Sequence, residues 1–172
     1  MNEQEFFQQG PELRNTWETD PFLQACLRRL LPAATFAEIS PGLARLGERA
    51  ASEMPRYAAD AEQHPPVHLP YDSWGRRIDD IRVADGWKQL HRVAAEEGVV
   101  AVAYERSQRE HSRLHQFARL YLFHPGSAWL TGPLSMTDGA ARVLELHGGA
   151  DPRPRHRVRA RHAGPHAARS GM

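Results

Sequence analysis

The chain of 172 residues is long enough for one domain with a hydrophobic core, and its length argues against two domains. Its 41% hydrophobic and 25% charged residues exclude a disordered or fibrous protein and are typical of a globular one. The formal net charge of +1 at pH 7 excludes a chain that is basic throughout, so overall charge does not predict nucleic-acid binding.

The sequence also shows no membrane span or signal peptide, and it allows little cysteine chemistry. No apolar run approaches the roughly 18 residues of a membrane span, and the first ten residues lack the basic and apolar regions of a signal peptide. The lone Cys26 excludes an internal disulfide and a cysteine-based zinc site. We therefore expect a cytoplasmic protein with no membrane partner.

The first helix is predicted to begin at Asp20-Pro21, an N-cap residue followed by proline, and to end at Pro32. Residues 1–19 show no sustained period, which predicts an N-terminal arm ahead of a domain over residues 20–148. The apolar stripe of this helix comprises Phe22, Leu23, Cys26, Leu27, Leu30 and Leu31. Cys26 is thus expected in the core rather than as a nucleophile.

A second helix is predicted from Ser40-Pro41, with a kink near Met54 because Pro55 interrupts its apolar pattern. Residues 64–75 contain three prolines and predict an extended connection over the surface.

Helical periodicity returns at Asp85 and stops at Gly98. The run "VVAVAY", residues 99–104, suits a buried strand or a buried helix, and the helical patterns on both sides favour helix. A further helical stripe consists of Leu114, Phe117, Ala118, Tyr121 and Leu122. A last helix is expected over residues 127–147, interrupted at Gly132-Pro133. No hairpin signal stands between alternating runs, so we expect an all-α body.

The C-terminal segment, residues 149–172, differs in charge from the rest. It has six arginines and one acid, a charge of +5, which leaves +1 − 5 = −4 for residues 1–148. Its arginine, proline and histidine content predicts a disordered basic tail. A frameshift near codon 148 is our preferred hypothesis for its origin, the alternative is a genuine tail, and resequencing the gene there separates them.

Candidate catalytic and metal-binding groups are sparse. His111 and His115 lie four residues apart on an expected helix, but no glutamate follows the first histidine as in zinc peptidases. We therefore expect a solvated helix surface there and no metal site. Asp79 and Asp80 lie beside arginines, which favours ion pairs over a general acid. No glycine-rich phosphate loop is present.

The stretch "YDSWGRRIDDIR", residues 71–82, combines aromatic rings with opposite charges. Arginine can hold a carboxylate while its stem packs on a ring, so such a segment can tie a loop to a helical body. We expect a structural clamp or interface rather than a catalytic site. Its residues are Tyr71, Asp72, Gly75, Arg76, Arg77, Asp79, Asp80 and Arg82, with Trp87 following.

The longer stretch "PPVHLPYDSWGRRIDDIRVADGWKQL" resembles the N-terminal region of acyl-CoA dehydrogenase-related flavoproteins of the AidB-like branch. There Pro-Pro, Tyr-Asp, Gly-Arg-Arg, Asp-Asp, Arg and Trp recur in this order. A later segment, "PLSMTDGAARVLE" at residues 133–145, resembles the same branch less specifically. The resemblance extends over roughly residues 15–148.

This resemblance implies an N-terminal helical domain of the acyl-CoA dehydrogenase type. In the intact family it implies FAD as cofactor, an acyl-CoA thioester as substrate and a homo-oligomer. The flavin contacts and the catalytic glutamate belong to other domains and match nothing here, so we expect no catalytic residue and no tight FAD binding by this chain alone. Ser135, Met136 and Thr137 correspond to a region that can wall the acyl pocket.

Three functional hypotheses follow. The first is an N-terminal fragment of an FAD-dependent acyl-CoA dehydrogenase-like oxidoreductase, inactive alone. The second is a small helical binding module whose basic tail contacts nucleic acid. The third, a helical scaffold that joins full-length relatives, is not separable from the first by sequence.

Overall fold

Helices dominate residues 10–148, the part of the chain that the computed structural model describes. The helices are α1 (Pro21–Leu30), α2 (Ala33–Ser52), α3 (Met54–Gln63), α4 (Asp85–Glu96), α5 (Val102–Glu105), α6 (Ser112–Phe123) and α7 (Thr131–His147). Two strands, β1 (Val67–Tyr71) and β2 (Arg77–Arg82), form one small sheet, and single 3-10 turns occupy Arg109–His111 and His124–Gly126. The expectation of a helical fold class is confirmed, with the sheet as an addition. The predicted tail lies outside the described residues.

Helix α1 begins as its sequence predicts. The Oδ1 atom of Asp20 accepts a hydrogen bond from the backbone N–H of Leu23 at 2.8 Å, and Pro21 occupies the first turn. The helix ends at Leu30, and Leu31 is extended because Pro32 follows it.

Helix α2 begins earlier than predicted, at Ala33 rather than at Ser40-Pro41. Pro41 lies inside the helix, and the hydroxyl of Ser40 donates to the carbonyl of Phe36 at 2.6 Å. One lost backbone bond is tolerated because residues on both sides of Pro41, among them Ile39 and Leu43, are buried on one face. The predicted interruption near Met54 is confirmed, since α2 ends at Ser52 and α3 starts at Met54.

The β1–β2 hairpin corrects the expectation of a purely extended connection without hairpin. The strands are antiparallel, with Val67 opposite Arg82 and Tyr71 opposite Arg77. Asp72 closes the loop, because its Oδ1 atom accepts from the N–H groups of Trp74 and Arg76 at 3.0 and 2.9 Å. Gly75 has φ of 80°, which glycine adopts without strain. The sequence signal was an aspartate and a glycine within five loop residues, rather than an Asn-Gly pair.

Helix α4 ends as predicted, with Gly98 at φ of 59°. Residues 99–104 are only partly helical, because α5 begins at Val102 and the buried Val99 lies in the turn before it. Near the C-terminus, Pro133 lies in the first turn of α7, where its missing N–H breaks no helical bond. The predicted interruption of this helix is therefore wrong.

The core lies between the long helices. Helix α2 packs against α6, and α3 packs against α4. Fully buried side chains include Leu27, Leu43, Leu46, Met54, Leu90, Val93, Leu122, Phe123 and Leu130. None of the helices between residues 10 and 148 is both long and apolar enough to cross a membrane.

Candidate functional site

An open groove of about 960 Å³ runs between the segment before α1, helix α6 and the start of α7. Its lining consists of Thr16, Thr19, Asp20, Phe117, Leu120, Tyr121, Leu122, His124, Pro125, Thr131 and Ser135. The surface of the groove is mostly apolar, and its lining includes the hydroxyl-bearing residues Thr16, Thr19, Tyr121, Thr131 and Ser135. The arrangement suits a mainly apolar ligand that a few polar groups orient.

The aromatic wall of the groove comes from the exposed side of α6. Phe117 and Tyr121 lie one turn apart and are 58% and 53% exposed, whereas Ala118 and Leu122 are buried against the core. The predicted single apolar stripe of this helix therefore divides into a core face and a groove face. Phe117 and Tyr121 are not core residues, which corrects their expected role.

Polar contacts fix the two ends of this wall. The hydroxyl of Tyr121 donates to Oδ2 of Asp20 at 2.7 Å, and a ring nitrogen of His124 lies 2.9 Å from the hydroxyl of Thr131. The N–H of Leu23 and the hydroxyl of Tyr121 lower the pKa of Asp20, while the Asp20 carboxylate raises the pKa of Tyr121. These contacts join α6 to the start of α1 and the 3-10 turn to α7.

The structure separates the three residues predicted to wall an acyl pocket. Ser135 lines the groove, one turn after Thr131, and its hydroxyl donates to the Thr131 carbonyl at 2.8 Å. Met136 is 76% exposed and, like Thr137, is not among the lining residues. Thr137 points its hydroxyl back to the carbonyl of Pro133 at 3.0 Å.

The residues predicted to form a clamp lie in and after the hairpin. Arg76 pairs with Asp72 at 3.2 Å, Arg77 with Asp79 at 2.7 Å and Arg82 with Asp80 at 3.2 Å. Among these residues the ion pairs close within the hairpin itself. Side-chain hydrogen bonds from Arg77 and His68 hold the pKa of Asp79 below its usual value.

The aromatic residues of this segment have different environments. Trp74, at the hairpin tip, is 91% exposed, and Tyr71 is also exposed. Trp87 lies on α4, where its ring packs at 5.2 Å from the ring of Trp129 and at 5.3 Å from that of His91. Trp87 therefore belongs to the helical body and the other predicted clamp residues to the hairpin.

The sequence did not predict the ionic network around the buried Glu97, which joins α2, α4 and α6. Glu97, only 2% exposed, accepts hydrogen bonds from Arg45 at 3.0 and 2.9 Å and from Arg49 at 3.1 Å. Burial works against its charge, but the bonds from Arg45 and Arg49 outweigh burial, so its pKa is lowered. The fourth member, Arg119, is buried and contacts both the carbonyl and the carboxylate of Glu97.

His115 is part of this network, which corrects the expected solvated surface. Its side chain is buried, with Nδ1 at 2.9 Å from Oε1 of Gln108 and Nε2 accepting from Nε of Arg119 at 2.9 Å. Burial, followed by the positive charge of Arg119, lowers its pKa to about 4. His111 is half-buried on the preceding turn. No group of three His, Cys, Asp or Glu side chains within residues 10–148 is placed to hold a metal ion.

A second polar cluster joins α5 and α6 to α7. The hydroxyl of Tyr104 donates to Oδ1 of Asp138 at 2.6 Å, and Nη1 of Arg113 donates to both Asp138 oxygens at 2.7 and 2.9 Å. Burial opposes the charge of Asp138, but the bonds from Tyr104 and Arg113 leave its pKa lowered. The cluster anchors the middle of α7, whereas Leu144 and Leu146 near its end are exposed.

The groove does not fit a flavin dinucleotide by itself. Its lining offers hydroxyls and rings, but within residues 10–148 it includes no glycine-rich turn that would hold a pyrophosphate. The described part of the chain thus provides a groove and two ionic anchors.

Comparison with known proteins identifies the domain. The family model described as the adaptive response protein AidB N-terminal domain matches residues 8–162. The chain belongs to this family. The match continues beyond residue 148, where we expected the domain to end, and that boundary stays a prediction.

Two curated relatives of this AidB N-terminal domain are acyl-CoA dehydrogenase family proteins. The chain is 39% identical over 140 residues to acyl-CoA dehydrogenase family member 11 of Caenorhabditis elegans, covering 81% of the chain and 23% of that protein. It is 32% identical over 84 residues to putative acyl-CoA dehydrogenase AidB of Escherichia coli (strain K12), covering 49% and 16%. The chain therefore spans less than a quarter of either relative.

Solved structures agree. The apo form of Bd2924 superimposes with a TM-score of 0.81 at 52% identity, covering 91% of the chain and 30% of that protein. The structure of Caenorhabditis elegans ACDH-11 in complex with C11-CoA gives a TM-score of 0.78 at 38% identity, covering 83% and 24%. The resemblance to the AidB-like branch is confirmed, and the chain corresponds to the N-terminal part of such a dehydrogenase-like protein.

Proposed function

We propose that this chain is the N-terminal helical domain of an FAD-dependent acyl-CoA dehydrogenase-like protein, and that its groove forms one wall of the acyl pocket. The observation that carries the proposal is the groove between α6 and α7, where Phe117 and Tyr121 are exposed and Ser135 also belongs to the lining. The fold similarity to ACDH-11, a structure that contains C11-CoA, supports an acyl ligand.

The chemistry of such a reaction needs groups that this domain does not supply. Removal of an α-proton requires a carboxylate, and the β-hydride requires a flavin as acceptor. In our proposal both come from the other domains, while the groove holds the acyl chain and excludes water from it. The chain alone is expected to be inactive and to purify without tightly bound FAD.

A chimera tests the acyl wall directly. This domain would replace the matching 140 residues of the Caenorhabditis elegans relative, and calorimetry would measure binding of C11-CoA. In the chimera, Ser135→Trp fills the groove and should weaken binding by more than about tenfold, the lower end of the effect of one methylene group in an apolar pocket. Thr137→Trp places the same bulk outside the groove lining and is the matched control.

If the two tryptophan variants bind C11-CoA equally well, the groove is not part of the acyl pocket. Stoichiometric flavin in the purified chain, detected by its visible absorbance, would contradict the proposal that the flavin is bound by the other domains. Both variants should keep the thermal melting temperature of the unsubstituted chimera, because both positions are exposed.

The exposed apolar surfaces outside the groove are proposed to meet the other domains or a second subunit. They include Phe22 and Leu30 on α1, Val143 and Leu144 on α7, and Trp74 at the hairpin tip. Such side chains are stabilised when another surface covers them. In the chimera, Trp74→Ser should lower the oligomer fraction in analytical ultracentrifugation, and an unchanged fraction would exclude the hairpin from the interface.

The nucleic-acid alternative gains no support from the comparisons, and the tail on which it rests lies outside the described residues.

A further inference from the structure

A second cavity, of about 570 Å³, lies at the beginning of α6 and shares Phe117 with the groove. Four arginines from three different segments line it: Arg106, Arg109, Arg113 and Arg142. Its other polar lining side chains are Glu110, Ser112 and Asp138. This concentration of guanidinium groups predicts a preference for anions.

One arginine of the cavity is neutralised and the other three are not. Asp138 holds Arg113 in two hydrogen bonds, as described above. Arg106 and Arg142 share a single carboxylate, that of Glu145, which accepts from Nη1 of Arg142 at 2.5 Å.

Arg109 forms no side-chain hydrogen bond or ion pair with any residue that the structure describes. The three positive charges of Arg106, Arg109 and Arg142 therefore face two negative charges, those of Glu145 and of the lining residue Glu110, and one positive charge remains. The carboxylate of Glu110 is exposed and lies 3.7 Å from the ring of His111.

Ser112 is the second observation that points to a ligand. Its side chain is 1% exposed and lines the cavity, yet its hydroxyl has no hydrogen-bond partner in the structure. A buried hydroxyl without a partner costs free energy, and most such groups in proteins are satisfied by protein, water or ligand. Ser112 is also the first residue of α6, where the helix dipole is positive.

The backbone holds two of the arginines in an unfavourable conformation. Arg106 and Arg109 have φ of 55° and 52°, in the left-handed region where glycine or asparagine is the common choice. Strained residues of this kind occur preferentially at ligand sites.

We propose that the arginine pocket, formed by Arg106, Arg109, Ser112 and Arg142, binds a phosphate group. The planar forks of the arginines match phosphate oxygens, and the Ser112 hydroxyl donates to one of them. The phosphate is either inorganic or part of a small molecule such as a coenzyme A thioester. This inference does not depend on the acyl wall.

Calorimetric titration of the full chain with pyrophosphate at constant ionic strength tests the site, with chloride as the reference anion. The double substitution Arg109→Gln, Arg142→Gln should weaken binding by more than about tenfold, because it removes two charge-assisted contacts. The matched double substitution on the hairpin, Arg76→Gln, Arg82→Gln, removes the same charge elsewhere and should change affinity less than about twofold. The basic C-terminal segment is present in every variant, so differences report the pocket.

Ser112→Ala separates ligand binding from folding. Removing an unpaired buried hydroxyl should leave the melting temperature of the free protein unchanged or higher, while pyrophosphate affinity falls several-fold. Inorganic phosphate and coenzyme A, titrated separately, distinguish the two sources by which binds more tightly. Equal losses in the two arginine doubles, no effect of Ser112→Ala on affinity, or no binding to the unsubstituted chain would each overturn the proposal.

Discussion

The guanidinium of Arg119 lies buried against Glu97, contacting its backbone carbonyl and, at 3.3 Å, its carboxylate. The pair joins the end of α4 to the middle of α6, and Arg45 and Arg49 connect it to α2. Three arginines around one buried glutamate form a network whose charges depend on one another.

Replacing Glu97 by glutamine should destabilise the domain by about 3 kcal/mol, because it leaves the buried Arg119 without a counter-ion. Urea denaturation followed by circular dichroism measures the change. Glu96→Gln provides the control, since Glu96 pairs with the same Arg49 at 2.9 Å but is nearly half exposed. That substitution should cost less than about 1 kcal/mol. If both variants lose a similar free energy of unfolding, the buried Glu97–Arg119 pair contributes no more than the exposed pair.

His115 should make stability depend on pH. Its folded pKa of about 4 lies below the unfolded value of 6.5, so the unfolded chain binds the proton more readily between these values. Stability is therefore expected to fall as the pH drops from 6.5 towards 4, by up to about 3 kcal/mol if the full shift is expressed.

Melting temperatures of the unsubstituted chain and of His115→Gln between pH 5 and 6.5 isolate this contribution, since most carboxylates stay ionised there. The variant should show a flatter profile in that window. A profile for His115→Gln that is as steep as the original would contradict the assignment.

The N-cap of α1 offers a second test of a named contact. Asp20→Ala should destabilise the domain by about 1 kcal/mol because the N–H of Leu23 loses its acceptor, whereas Asp20→Asn keeps an acceptor and should cost less than about 0.5 kcal/mol. The pKa of Asp20 is lowered on folding, so its carboxylate contributes stability at neutral pH that is lost as the pH falls through the folded pKa. The asparagine variant should lack this acid-dependent loss in thermal melts, and an alanine variant as stable as the original would argue against the cap.

Replacing each of two prolines by alanine should change the stability of the domain differently. Pro41 lies exposed inside α2, where it removes the N–H that would bond to the carbonyl of Ala37, so Pro41→Ala should stabilise the domain by about 1 kcal/mol. Pro55 lies in the first turn of α3, where an N–H has no helical partner, so Pro55→Ala should bring no gain. Chemical denaturation of both variants checks the contrast, and equal changes would refute it.

Local signals in the sequence predicted several elements correctly. Asp20-Pro21 marked the start of α1, Pro55 marked the break after α2, and Gly98 marked the end of α4, because each acts through its own backbone geometry. Pro41 led to a wrong prediction for the start of α2. A proline at an exposed helical position removes one backbone hydrogen bond, but its buried neighbours keep the helix intact. The hairpin was missed because its turn depends on the Asp72 carboxylate rather than on a two-residue glycine turn.

The candidate site divides in the same way. The family resemblance, carried by identities at fixed spacing, named Ser135, and the structure places it on the groove beside Phe117 and Tyr121. The sequence could not predict that Phe117 and Tyr121 of α6 face outward. Their spacing puts them in one apolar stripe with Leu114 and Ala118, and only packing against α2 decides which part of that stripe is buried.

The sequence by itself determined the helical class, the family, the start of α1, the break after α2 and the end of α4, because these follow from local backbone preferences and from motif identity. The tertiary structure alone decided which charges are buried and which arginines share a cavity. Glu97 meets Arg45 across 52 residues, and Arg106 meets Glu145 across 39. No local pattern encodes such separations, since they arise only when packed helices bring distant side chains into one low-dielectric space.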